Sequence, residues 1–253
     1  MKIGLVQYDP VWEEKGKNKE KLNSLLSGIS GEEKILIFPE MTLTGFTMKA
    51  SNFAESLDGE SFEYYAGIAA KYKAHVLPGI IEKKDGRFFN SLLHIDDSGK
   101  LISVYRKIHP FSYSTEDKHY ARGTETATTQ IDDMKVGLSI CYDLRFPELY
   151  RYYGKERAHL IVVIANWPDT RIEHWRALLK ARAIENQCYV AGVNRTGKDI
   201  KLVYNGYSSL FDPMGIEIVT NANEEKILTA DIYQKNVEDV QNKLPFLNDI
   251  FLI

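Results

Sequence analysis

The chain has 253 residues, 44% of them hydrophobic, enough to bury a substantial core without disulfide or metal staples. Its net charge is −3, with 32 basic and 35 acidic residues interspersed, so nothing in it asks for nucleic acid or an anionic membrane. No apolar run approaches the ~18 residues of a membrane span, and the two cysteines, Cys141 and Cys188, form neither a disulfide framework nor a zinc spacing. Met1 to Gln7 lacks a signal-peptide layout, so a reduced, cytoplasmic protein is expected.

In chain order, Lys2–Tyr8 reads as a strand and Glu13–Leu26 as a polar helix. Ile35-Leu36-Ile37-Phe38 is a continuous apolar run, as in a strand covered on both faces, and it stops at Pro39-Glu40. Phe62–Tyr72 has helical spacing of its apolar and aromatic residues. Ala74–Glu82 and Arg87–Ile95 read as strands joined through Lys84-Asp85-Gly86, and Asp96–Gly99 turns the chain into Leu101–Tyr105. The stretch Ile108–Gly123 has no clear periodicity and is rich in aromatics, which marks a functional loop.

Met134–Ile140 then runs into Cys141, and Asp143, Arg145 and Pro147 suit a turn opening into a short helix. His159–Ala165 is the most strand-like run, ending at Asn166-Trp167-Pro168. Thr170-Arg171-Ile172-Glu173 matches a capping box that opens a helix through about Asn186. Strands at Cys188–Asn194, Gly206–Phe211 and Lys226–Asp231 follow, with a turn at Asp212–Gly215. The apolar tail, Asn242–Ile253, is expected to dock on the body or on a partner. No repeat or linker divides residues 1–253, so they read as one α/β domain with helices covering sheets.

Three chemically capable residues share one placement, each just past an apolar strand: Glu40, Lys107 and Cys141. Singly each has a bland reading, as a solvated cap, surface charge and a buried thiol. Together they make a machine for amide hydrolysis. A strand ending at a helix start presents sulfur at a rim, where backbone N–H groups favour a thiolate and an oxyanion. An ordinary thiol is still largely protonated at neutral pH, so Glu40 would take its proton as sulfur attacks a carbonyl carbon. Lys107 and the backbone N–H of Tyr142 would hold the oxyanion. This route asks for no metal and no organic cofactor.

Pro39-Glu40, Arg106-Lys107-Ile108-His109 and Cys141-Tyr142-Asp143-Leu144-Arg145-Phe146-Pro147-Glu148 resemble the carbon–nitrogen hydrolase (nitrilase) superfamily over essentially the whole chain. Its Glu–Lys–Cys triad maps onto Glu40, Lys107 and Cys141. Several segments look like the bacterial omega-amidase branch: Phe38–Met41 with Thr44–Phe46, Ala165–Pro168, Ala181–Asn186 and Tyr189–Arg195. That branch hydrolyses the terminal amide of 2-oxoglutaramate or 2-oxosuccinamate to the 2-oxo diacid and ammonia. The resemblance also implies a second glutamate seven residues before a glycine, matched by Glu116 and Gly123, which orients substrate and Lys107. It implies a four-layer α-β-β-α sandwich and a homodimer, with the helix Arg171–Asn186 and the tail as interface candidates; the alternative is that both pack on their own subunit. One departure is His109-Pro110-Phe111, where relatives carry Leu-Phe after the histidine. Proline fixes φ and removes a donor, which bears on the shape of the substrate loop and not on the triad.

Phe46, Tyr113, Tyr142 and Trp167 are candidate pocket walls, with plain core as the alternative. A 2-oxo acid carries a carboxylate, so the pocket should offer a cation. Arg145 is the arginine nearest the nucleophile in sequence; its bland reading is a brace to Asp143 or Glu148. His109 and His119 have no part in this mechanism, and Cys188 reads as inert core. The rival functions are another amidase of the superfamily, acting on a deaminated peptide amide or an N-carbamoyl compound, and a non-catalytic binding protein on the same scaffold.

Overall fold

The apolar runs become strands whose alternate residues are buried for different reasons. The computed structural model describes residues 1–252. Its strands, in chain order, are β1 (Lys2–Gln7), β2 (Ile35–Ile37), β3 (His75–Leu77), β4 (Gly79–Lys84), β5 (Arg87–Ile95), β6 (Leu101–Arg106), β7 (Thr128–Ile131), β8 (Met134–Ile140), β9 (Leu160–Ala165), β10 (Tyr189–Asn194), β11 (Thr196–Lys198), β12 (Val203–Phe211), β13 (Glu217–Ala222) and β14 (Lys226–Asp231). The helices are α1 (Lys15–Leu26), α2 (Ala50–Phe53), α3 (Glu60–Tyr72), α4 (Pro147–Lys155), α5 (Ile172–Asn186) and α6 (Gln234–Lys243).

Two seven-stranded sheets form. The first has the order β14-β1-β2-β3-β5-β4, with β6 beside β5; the second has β11-β12-β10-β9-β8-β7, with β13 beside β12. β1, β2 and β3 are mutually parallel, as are β8, β9 and β10. The period-two geometry of a strand divides the apolar residues between two cores. Ile3, Leu5, Ile35 and Ile37 join Leu138, Ile140 and Ile161 in the core that includes the space between the sheets. Val6, Leu36 and Phe38 point the other way and pack with Leu22 and Leu26 of α1 and Tyr65 and Ile68 of α3. On the far side α4 and α5 cover the second sheet, Tyr150 donating to Ser139 Oγ (2.9 Å) and Trp175 Nε1 to the Tyr207 carbonyl (2.8 Å). Each such buried side chain contributes roughly 1.5–3 kcal/mol. The result is the four-layer α-β-β-α sandwich that the resemblance implied.

Local chemistry explains most boundaries. Asp85 (φ 50°) and Gly86 (φ 73°) both take left-handed backbone, as a two-residue hairpin between β4 and β5 requires. The expected strand Ala74–Glu82 is broken at Pro78, which has no N–H to give a ladder, and becomes β3 and β4. The capping box at Thr170 does not form: a 3₁₀ turn over Asp169–Arg171 precedes α5, whose N-cap is Arg171 with no side-chain cap bond. The tail docks through Leu247, whereas Phe246, Phe251 and Leu252 are exposed and Ile253 lies outside the described residues.

Candidate active site

Glu40, Lys107 and Cys141 leave the two sheets at the same end. Glu40 follows β2, and its backbone presses on Gly79: a Cβ there would stand 2.6 Å from Met41 N and 2.8 Å from Glu40 Cα. Lys107 follows β6, held by its N–H to the Asn90 carbonyl (2.9 Å) and by Gly123 N–H on its own carbonyl (2.8 Å). A Cβ at Gly123 would meet the Arg106 carbonyl at 2.1 Å, so only glycine lets the end of the loop lie against this strand. Cys141 follows β8 with φ 47°, a left-handed conformation uncommon for a residue with a side chain. It opens a 3₁₀ turn, Cys141–Arg145, that hands the chain to α4 with Pro147 in its first turn.

Four side chains lock together beneath the sulfur. Lys107 Nζ donates to Glu40 Oε1 (2.8 Å) and to Glu116 Oε2 (2.9 Å) and Oε1 (3.2 Å). Asn90 Nδ2 bridges the two acids, donating to Glu40 Oε1 (2.7 Å) and Glu116 Oε1 (2.9 Å). Phe111 N–H donates to Glu116 Oε2 (2.5 Å), and Asn166 N–H crosses from the second sheet to Glu40 Oε2 (2.8 Å). Glu40 and Lys107 are each 1% exposed and Glu116 is fully buried.

Burial alone would depress the Lys107 ammonium, but the Glu116 and Glu40 carboxylates hold its pKa well above the usual lysine range. Burial raises the Glu116 carboxyl, opposed by Lys107. Burial, reinforced by the Glu40 charge, pushes the Cys141 thiol well above its ordinary value, and Lys107 only partly offsets this. Such a thiol needs a base to accept its proton as it attacks, the part the sequence reading gave to Glu40.

Asp143 ties this cluster to the nucleophile. Fully buried, it accepts from Tyr105 OH (2.7 Å) and Ile140 N–H (3.0 Å) through Oδ2, and from His109 N–H (3.0 Å) and Nδ1 (2.8 Å) through Oδ1. His109, which the sequence left without a part, also stacks on Phe146 at 3.8 Å between ring centroids. Asp143 is thus taken up by other partners, and among the described residues no ion pair joins Arg145 to it or to Glu148. Arg145 instead contacts His174 Nδ1 (3.2 Å), and its guanidinium lies 4.7 Å from the centre of the Trp167 ring.

Above the cluster lies a cavity of about 320 Å³ with half-buried Cys141 in its wall. Of the expected walls, Phe46, Tyr142, Trp167 and Arg145 line it. Tyr113 does not; it is 87% exposed, and Phe111 takes its place. The Phe111 backbone is held by its N–H bond to Glu116, a contact that two aromatics in an aperiodic loop do not reveal. Asn90 and Asn166 also escaped the sequence reading as network members, because uncharged amides beside strands carry no distinctive pattern. Among the described residues no group of three or more His, Cys, Asp or Glu side chains is arranged to hold a metal ion. The geometry offers a nucleophile in the cavity wall with a buried carboxylate and a buried ammonium close enough to act on it electrostatically, the needs of acyl transfer.

Comparison with known proteins identifies the family. The 2-oxoglutaramate amidase of Bacillus subtilis (strain 168) is 31% identical over 250 residues, covering 98% of this chain and 96% of that protein. Omega-amidase YafV of Escherichia coli (strain K12) is 31% identical over 251 residues, with the same coverage. XC1258 from Xanthomonas campestris, a CN-hydrolase superfamily protein solved with an arsenic adduct in its active site, superposes with a TM-score of 0.95 at 31% identity, covering 100% of this chain and 98% of that one. The carbon-nitrogen hydrolase family profile matches residues 2–242, and with the buried Glu40–Lys107 pair set beneath Cys141 this chain belongs to that family.

Proposed function

We propose that the protein is an omega-amidase, hydrolysing the terminal amide of 2-oxo acid amides such as 2-oxoglutaramate and 2-oxosuccinamate to the 2-oxo diacid and ammonia. The observation that carries the chemistry is the position of Cys141 in a cavity wall over the Glu40–Lys107–Glu116 network. The substrate class rests on the likeness to 2-oxoglutaramate amidase and omega-amidase relatives over nearly the full chain.

In this reading Cys141 Sγ attacks the amide carbon while Glu40 takes the thiol proton. The Lys107 ammonium and the Tyr142 N–H hold the oxyanion, in a site where one such donor is typically worth ~10²–10³ in rate. Glu40 returns the proton to the departing nitrogen, and ammonia leaves a thioester. Water, deprotonated by Glu40, attacks the thioester carbon; the carboxylic acid leaves and the thiol is restored. Glu116 and Asn90 hold Lys107 and Glu40 in place throughout.

The decisive experiment measures ammonia release from both 2-oxo amides beside glutamine, asparagine and an N-carbamoyl amine, with Cys141→Ala as the blank. Cysteine-dependent release from the 2-oxo amides alone is expected. Release only from another substrate overturns the substrate class and leaves the nucleophile in place.

A cytoplasmic setting and a homodimer belong to the same proposal. Both cysteines are free, as a reducing compartment keeps them. Exposed Tyr152 on α4 and Ile184 on α5, with Met214 and Ile216 close by in sequence to β13, favour these helices as the self-association face. A monomer by sedimentation at micromolar concentration would remove the dimer and leave the chemistry untouched.

A further inference from the structure

A cavity can advertise the charge of its ligand through the ions it leaves unneutralised. Two acids line this one. Glu13 is answered by Lys49 (2.6 Å) and the Thr47 hydroxyl (2.5 Å). Asp199 accepts from the N–H groups of Lys201 and Leu202 (2.7 Å each) and from the Tyr204 hydroxyl (2.6 Å). Two guanidiniums in the same wall have no carboxylate partner among the described residues. Arg145 lies over Trp167 with only His174 beside it, and half-buried Arg171 lies over Phe111 at 5.7 Å.

The two supports are joined. Trp167 Nε1 donates to the Arg171 carbonyl (2.8 Å), so the ring beneath Arg145 is fixed by the backbone of Arg171. Phe111, beneath Arg171, donates its N–H to Glu116 (2.5 Å) and packs on Tyr142 at 4.7 Å. Both guanidiniums are therefore held on rigid aromatic shelves tied to the residues around the nucleophile. A planar fork on a fixed shelf is preorganised for a carboxylate, and it loses little entropy on binding one.

We infer that Arg171 is a specificity-determining residue that grips the carboxylate of the substrate's 2-oxo acid end together with Arg145. The assignment rests on the proposed omega-amidase reading and adds a second cation that sequence proximity to Cys141 does not single out. Arg171 precedes α5 by one residue and stands 30 positions from the nucleophile in the chain.

The test compares wild type, Arg171→Met, Arg171→Lys and Arg145→Met on 2-oxoglutaramate and on a neutral short-chain amide, after melting curves show that each variant is folded. For Arg171→Met, KM for 2-oxoglutaramate should rise about 10- to 100-fold, the usual cost of losing a charge-assisted bond, with kcat nearly unchanged. KM for the neutral amide should not move, and Arg171→Lys should recover part of the loss. An unaltered KM in Arg171→Met, with wild type active and Arg145→Met impaired, overturns the role of Arg171 and leaves the omega-amidase reading intact. A wild-type enzyme inactive on both 2-oxo amides overturns that reading, and this assignment with it.

Discussion

Strand β5 carries two buried polar side chains four residues apart, and they behave differently. Asn90 lies at the cavity end, in a cluster of two carboxylates and one ammonium that the second sheet closes through Asn166. Four residues on, roughly 13 Å along the strand, His94 exchanges hydrogen bonds with His75 (2.8 Å) in its own sheet and Thr129 (2.6 Å) in the other. Burial holds the His94 imidazole neutral, down to about 4. Both contacts are buried and bridge the layers, but one keeps charge inside the protein and the other expels it. Buried charge is costly unless fully partnered, and two buried carboxylates sharing one ammonium beside a thiol mark a candidate for the chemistry.

Substitutions sharpen this contrast, beginning with the largest effect. Glu40→Gln should lower kcat by about 10²–10⁴, the usual contribution of a positioned base. It should also change the thiol in a direction that separates charge from shape. The Glu40 carboxylate helps raise the Cys141 pKa, so removing it should move the pH midpoint of Cys141 alkylation downward. A midpoint that stays or rises would mean that the carboxylate does not act on the sulfur.

Lys107→Met comes next. It leaves Glu40 and Glu116 buried without their cation, which should cost about 3–5 kcal/mol by urea unfolding and lower kcat by about 10²–10³. The same variant should move the alkylation midpoint upward, because Lys107 opposes the rise.

Asp143→Asn tests the tie between cluster and nucleophile. An amide nitrogen cannot accept, so the backbone N–H of either Ile140 or His109 loses its acceptor. kcat should fall about 10- to 100-fold through misplacement of Cys141, with KM little changed. A rise in KM alone would remove Asp143 from a positioning role.

The smallest effect lies at the neutral crossing and shows only in stability. His94 titrates near 6.5 when unfolded and about 4 when folded, so the unfolded chain binds the extra proton first as pH falls. The His94 contribution to stability should therefore fall from about pH 6.5 and be lost below about pH 4, by about 3 kcal/mol. His94→Gln should flatten that decline while sparing kcat. An unchanged slope would place the acid sensitivity elsewhere.

The sequence displayed the charged crossing far better than the neutral one. Glu40, Lys107 and Cys141 each end an apolar strand, and a charged or nucleophilic residue after such a run stands out. Glu116 followed from the family resemblance, whose second glutamate stands seven residues before a glycine, and the structure shows why that glycine is needed: it passes close to the Arg106 carbonyl. His94 looked like one more strand residue, and Asn90 like its neighbour, because partners far away in the chain decide what a buried polar group does. Thr128–Ile131 and Glu217–Ala222 were missed as strands, being short or half-exposed, and α6 buries only Val237. The pocket walls were half legible: aromatic content marked the loop, but not that Phe111 rather than Tyr113 lines the cavity.

The strand order carries a consequence for synthesis. β1 lies between β2 and β14, so during synthesis it keeps one bare edge until Lys226–Asp231 has been made. Every element from β2 to β13 must therefore emerge before this sheet is complete, and an unpaired edge invites pairing with other chains in the interval. A nascent chain arrested at Asn223 should need a chaperone to stay soluble, whereas one released a few residues beyond Asp231 should not.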